Sequence, residues 1–163
     1  MLTRSDRPIR LVFVTAHLQV KIMRKLTAAL VCVAVLLPVS LANAQIITRA
    51  QQQKMEKQGL GGGKGSVEAA FAFTRDKASA GQAIKEISWL TLKPGTSIGY
   101  HKHIDNEDAY IIVSGSGLFK DADGKDYPVS AGDITIVRKG ESHGLTNNGK
   151  QPLVLVDVIA AQQ

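Results

Sequence analysis

From residue 67 to residue 159 the chain alternates short apolar runs, rich in Val, Ile, Phe and Tyr, with breaks built from Gly, Pro, Asp and Asn. Runs of this length with a period of two are the pattern of strands that bury one face. They predict strands at 67–73, 84–92, 98–103, 109–114, 117–121, 125–128, 133–137, 142–146 and 153–159. The breaks carry turn chemistry: Lys93-Pro94-Gly95, Asp123-Gly124, Ala131-Gly132, Lys139-Gly140 and Asn148-Gly149. Asp123-Gly124 in particular suits a tight hairpin. Many short, regularly spaced strands with almost no helix imply an all-β sandwich or small barrel.

The pattern differs upstream of residue 67. Residues 45–58 are rich in good helix formers and poor in apolar positions, which predicts a short, frayed helix. The glycine-rich run 59–65 that follows is expected to be a flexible lead into the barrel. Its Gly63-Lys64 pair does not make a phosphate loop. Such a loop needs Gly five residues before that pair and Ser or Thr directly after it, and those positions hold Gln58 and Gly65. Segment 45–66 is therefore read as a lead-in and 67–163 as the barrel.

Residues 23–44 read as a secretory signal. Arg24 and Lys25 precede an apolar run, and Ala42-Asn43-Ala44 offers a small-residue cleavage site before Gln45. Pro38 interrupts the run, which is shorter than the roughly 20 residues that span a bilayer. No stable membrane anchor is expected after cleavage, and the protein is expected to be secreted or periplasmic. The stretch 1–22 is read as an upstream segment, untranslated or removed.

This reading changes what the charge means. The 163-residue chain has 20 basic and 14 acidic side chains, a formal net charge of +6. Removing 1–44 takes away six basic residues (Arg4, Arg7, Arg10, Lys21, Arg24, Lys25) and Asp6, leaving 14 against 13, or +1. Such a balance does not attract nucleic acid. The single cysteine, Cys32, leaves with the signal, so no disulfide supports the remaining 119 residues and one hydrophobic core must do so.

Three of the four histidines fall between Gly95 and Asn147. His101 and His103 are two apart on a predicted strand, so both point to one face and can reach one ion. The next strand offers two acids on opposite faces, Glu107 and Asp108. These spacings resemble the two motifs of the cupin superfamily. Gly95, five residues, His101, Lys102, His103, an acid and a glycine (Gly115) form the first. Gly132, Gly140, His143 and Asn147 form the second, with Arg138 where the family has proline.

The resemblance covers 67–159 and implies a double-stranded β-helix, or jelly-roll, barrel behind a short helical or flexible segment. It implies a metal site of His101, His103, an acid and His143. Counting back from Gly115 as the family pattern does selects Asp108, and counting three residues on from His103 selects Glu107. Asp108 is preferred because that count also turns Tyr110 and Ile112 inward. Three imidazoles and a carboxylate suit one divalent transition metal: Fe, Mn, Ni, Cu or Zn.

Tyr100 falls on the face opposite His101, whereas Tyr110 is expected in the pocket, and Asn147 is expected to brace a turn. Two functions follow from the resemblance. The first is a small metal-dependent enzyme of oxygenase, isomerase or lyase type on a small polar substrate, with Glu107 or Tyr110 assisting proton transfer. The second is a non-catalytic module that binds a metal or small ligand. The family also implies a homodimer.

Overall fold

The computed structural model describes residues 45–161. The signal segment 23–44 and the stretch 1–22 lie outside the described residues. Ten strands form two sheets in which every pairing is antiparallel. They are β1 (Gln53–Gln58), β2 (Ser66–Phe73), β3 (Ile84–Leu92), β4 (Ser97–Lys102), β5 (Asn106–Ser114), β6 (Ser116–Lys120), β7 (Asp126–Ser130), β8 (Ile134–Val137), β9 (Ser142–Thr146) and β10 (Leu153–Ala161). The larger sheet runs β1-β2-β3-β10-β5-β8 and the smaller runs β4-β9-β6-β7. This is an all-β jelly roll, and the nine strands expected from 67 onward are all present.

Alternation explains the core. Val67, Ala69 and Phe71 of β2, Leu90 and Leu92 of β3, and Leu153 and Leu155 of β10 point inward on one sheet. Ile98, Phe119 and Leu145 meet them from the other. At roughly 25 cal/mol per Å² of apolar surface removed from water, this interior is what holds a disulfide-free domain together.

The stretch 45–58 is not a helix. Its only helical feature is a single 3-10 turn at Arg49–Gln51, and Gln53–Gln58 is the edge strand of the larger sheet. Helix propensity there is a weak prior, and the ladder of hydrogen bonds offered by β2 outweighs it. Period two supplies the inner face: Met55 packs against the core, and the Lys57 ammonium lies 5.4 Å from the centre of the Phe71 ring.

The glycine-rich run is likewise ordered rather than a flexible lead. It turns through a 3-10 segment at Leu60–Gly62 and docks backbone to backbone on β4. The Ser97 N–H donates to the Lys64 carbonyl (2.9 Å), and the Lys64 N–H to Ser97 Oγ (2.8 Å). A side chain cannot enter this contact: a Cβ on Gly63 would lie 2.0 Å from the Ser97 carbonyl oxygen, and one on Gly99 2.3 Å from that of Gly61.

Candidate metal centre

Along the inner face of the larger sheet, the paired residues change character toward one end of the barrel. Leu92 faces Leu153 and Leu90 faces Leu155, but the next inward pair is Ser88 and Asp157. On β5, Ile112 is followed by Tyr110 and then Asp108. The histidines converge on this polar end. His101 is paired across strands with His143, since β4 and β9 are neighbours. His103 follows β4 by one residue, where its N–H bonds to the Glu141 carbonyl (2.9 Å).

Donor atoms of His101, His103, Asp108 and His143 all lie within 4.8 Å of one another, and this group can hold a metal ion. His103 Nε2 is 2.9 Å from His143 Nε2. Asp108 Oδ2 is 3.2 Å from His143 Nε2 and 3.5 Å from His103 Nε2. Two ligands that each sit about 2.1 Å from one ion, side by side, are about 3 Å apart, so the spacing fits the donor set. His101, His103 and Asp108 line a cavity of about 650 Å³ that also reaches Ser88, Tyr110 and Asp157.

Hydrogen bonds orient the rings. His103 Nδ1–H donates to Asn106 Oδ1 (2.5 Å), whose amide nitrogen donates in turn to Asp105 (2.9 Å). His101 Nδ1–H donates to the Gly99 carbonyl (2.9 Å). Each bond holds the proton on Nδ1 and leaves Nε2 free as a ligand. Asn106 has no signal in the sequence motifs. Only its position three residues after His103, at the start of β5, brings it into reach.

Burial sets the protonation states. The His143 ring is driven down to about 3 by burial and by neighbouring His101. Burial is also the main cause that lowers His103. The Asp108 carboxyl is pushed up to about 6, again by burial. Tyr110 is raised well above its ordinary value by burial and then by Asp108 and Asp157, so its hydroxyl stays neutral and can donate. Its ring lies 4.8 Å from that of His143, as a wall of the pocket.

Glu107 is not brought into the group. It points to the outer face of β5 and pairs there with Arg138, because the side chains of a strand alternate. That arrangement gives Arg138 a partner at the position where the motif has proline. Tyr100 is also turned away, half-exposed, with its hydroxyl donating to the Ala122 carbonyl (3.3 Å). Asn147 is a buried brace: its amide donates to the Leu92 and Gln151 carbonyls (2.8 and 2.9 Å) and its oxygen accepts from the Gly149 N–H (2.9 Å).

Comparison with known proteins agrees with this architecture. Residues 88–159 match the family model of the cupin domain. The chain is 38% identical over 98 residues to an oxalate-binding protein of Thermotoga maritima, covering 60% of this chain and 78% of the relative. It is 32% identical over 84 residues to a gentisate 1,2-dioxygenase of a Ralstonia species, covering 52% of this chain but only 23% of that enzyme. The crystal structure of a predicted oxalate decarboxylase from Thermotoga maritima superposes with a TM-score of 0.66 at 31% identity, over 72% of this chain and all of the other. With two antiparallel sheets, a match to the cupin family model over residues 88–159 and 38% identity to a relative covered over 78% of its length, the chain belongs to the cupin superfamily.

Proposed function

We propose that this protein binds one divalent transition metal through His101, His103, Asp108 and His143, and through that ion binds a small chelating carboxylate of the oxalate class. The observation that carries the reading is the convergence of these four donors within 4.8 Å, three of them lining a cavity of about 650 Å³. A bound divalent ion supplies Lewis acidity and open coordination positions for a chelating pair of oxygens. The chain's own residues do the rest. The buried rings of His103 and His143 meet the ion as neutral bases, and the Tyr110 side chain packs on His143.

Binding rather than turnover is the function we favour. The relationship to an oxalate-binding protein supports it, and Glu107, the acid expected to assist proton transfer, is engaged with Arg138 outside the pocket. A catalytic reading is supported by the neutral Tyr110 hydroxyl, the partial match to a dioxygenase and the similarity to the structure of a predicted oxalate decarboxylase. Metal content of protein purified without added metal or chelator tests the centre, with His103→Ala alongside. Near-stoichiometric metal that the variant lacks is expected, as is oxalate binding by titration calorimetry only in the loaded protein. No metal retained or taken up on reconstitution would refute the proposal.

We also propose export, supported by the signal pattern at 23–44 and tested by whether the secreted chain begins at Gln45. A homodimer paired through the larger sheet is supported by an apolar row on its outer face. Trp89, Val156, Ile111 and Ile134 stand in register across β3, β10, β5 and β8. Three of them are exposed large side chains. A strict monomer by light scattering would sink this part.

A further inference from the structure

His103, Asp108 and His143 are buried, but His101 is only half-buried. What lies against it is the glycine run that precedes β2. Leu60 packs on the core and, with Gly61, lines the same cavity as His101. Backbone bonds hold the run on either side of this point: the Gly62 N–H donates to the Gly59 carbonyl and the Gly59 N–H to the Gly65 carbonyl, both at 2.9 Å. At Gly61 itself there is no room for a side chain. A Cβ there would lie 2.9 Å from His101 Nδ1, 3.4 Å from its Cγ and 3.2 Å from the Gly99 carbonyl oxygen. That nitrogen and that oxygen are the two ends of the 2.9 Å bond that orients the ring. A positive φ alone does not account for this contact. Gly62 has φ of +80°, like Gly61 at +59°, yet a Cβ on Gly62 would meet nothing among the described residues within 4 Å.

We propose that Gly61 is a positioning residue of the metal centre: its bare Cα bears on the bond between His101 and Gly99 and so fixes the ring with Nε2 toward the other donors. This inference rests on the metal-centre reading above. The glycine run thereby does for the half-buried ligand what the core does for the buried ones, by removing the rotational freedom of its ring. An alanine at 61 would have to displace the imidazole, because the strap carrying it is held by backbone bonds and docked on β4. Atoms in ordinary contact sit about 3.5 Å apart, so the ring would move by about 0.5 Å. Metal–ligand distances are held to within about 0.2 Å, and a shift of that size therefore weakens the bond.

The test compares Gly61→Ala with Gly62→Ala. Both place alanine at a positive φ, and only the first adds an atom beside His101. Each purified protein competes with a chromophoric chelator for cobalt(II), the visible absorption of the bound cobalt reports the geometry around it, and circular dichroism checks the fold. We expect Gly61→Ala to bind cobalt about 10- to 100-fold more weakly with an altered spectrum, and Gly62→Ala to bind within about threefold of wild type with the wild-type spectrum. Wild-type affinity and spectrum in folded Gly61→Ala refute the inference alone, and so does an equal loss in Gly62→Ala. Should Gly61→Ala not fold, NMR of the wild type decides. A nuclear Overhauser contact between a Gly61 Hα and the His101 side chain is expected, and its absence refutes the inference. Absence of saturable cobalt binding by the wild type refutes the metal-centre reading, and the inference falls with it.

Discussion

Acidification should weaken metal binding along a profile that the buried site makes unusual. Ligands must be deprotonated to bind, so each proton that competes with the ion lowers the affinity. The His143 ring, held down to about 3, and His103, lowered by its burial, are already neutral bases in mildly acidic solution. Among the fully buried donors the first to take a competing proton is Asp108, at about 6. One pH unit below that value roughly a tenth of the carboxyl is ionised, so this group alone should lower the affinity about tenfold, near 1.4 kcal/mol. Cobalt(II) competition measured from about pH 7.5 to about pH 4.5 reads this directly. Histidines of ordinary pKa would instead give a midpoint near 6.5 and a slope approaching three. That steeper profile, or a flat one down to about pH 5, would refute the reasoning. In metal-free protein the signs oppose. His143, depressed from 6.5, contributes stability that is present above 6.5 and lost as pH falls toward 3. Asp108, raised from 3.8, contributes stability that is present below 3.8 and lost as pH rises through about 6.

Four further outcomes are expected. Glu107→Gln, which touches only the pair with Arg138 on the outer face, should leave cobalt affinity within about twofold and change stability by about 1 kcal/mol or less in urea unfolding. Asp108→Asn should lower that affinity by at least about tenfold in the same chelator competition, since it removes a charged donor. Gly99→Ala would place a methyl group 2.3 Å from the Gly61 carbonyl oxygen, with backbone on every side. It should destabilise the domain by about 1–3 kcal/mol, read as a lower urea midpoint. Leu155→Ala empties a fully buried position between the sheets and should cost about 2–5 kcal/mol in the same assay.

Much of the site was legible in the sequence because its information is local. The alternation of a strand puts His101 and His103 on one face whatever the rest of the chain does, and the same parity separates Asp108 from Glu107. Turn residues bounded the strands from residue 67 onward for a similar reason: their backbone preferences act over four residues. Residues 53–58 were not legible as a strand. Their polar composition favours neither element strongly, and only the open edge of β2 makes them one. The glycine run was equally mute, because its order comes from docking on β4, 33 residues away for the Lys64–Ser97 bond.

The sequence by itself determined the class of fold, the facing of each candidate ligand and the domain's reliance on its hydrophobic core. The tertiary structure alone decided that His143 meets His103 across 40 residues, that Asn106 fixes a ring and that Glu107 is occupied elsewhere. The physical reason is one of range. Side-chain facing follows from the covalent geometry of a few neighbouring residues, whereas the distance between donors on β4, β5 and β9 exists only once two sheets have closed over a common interior.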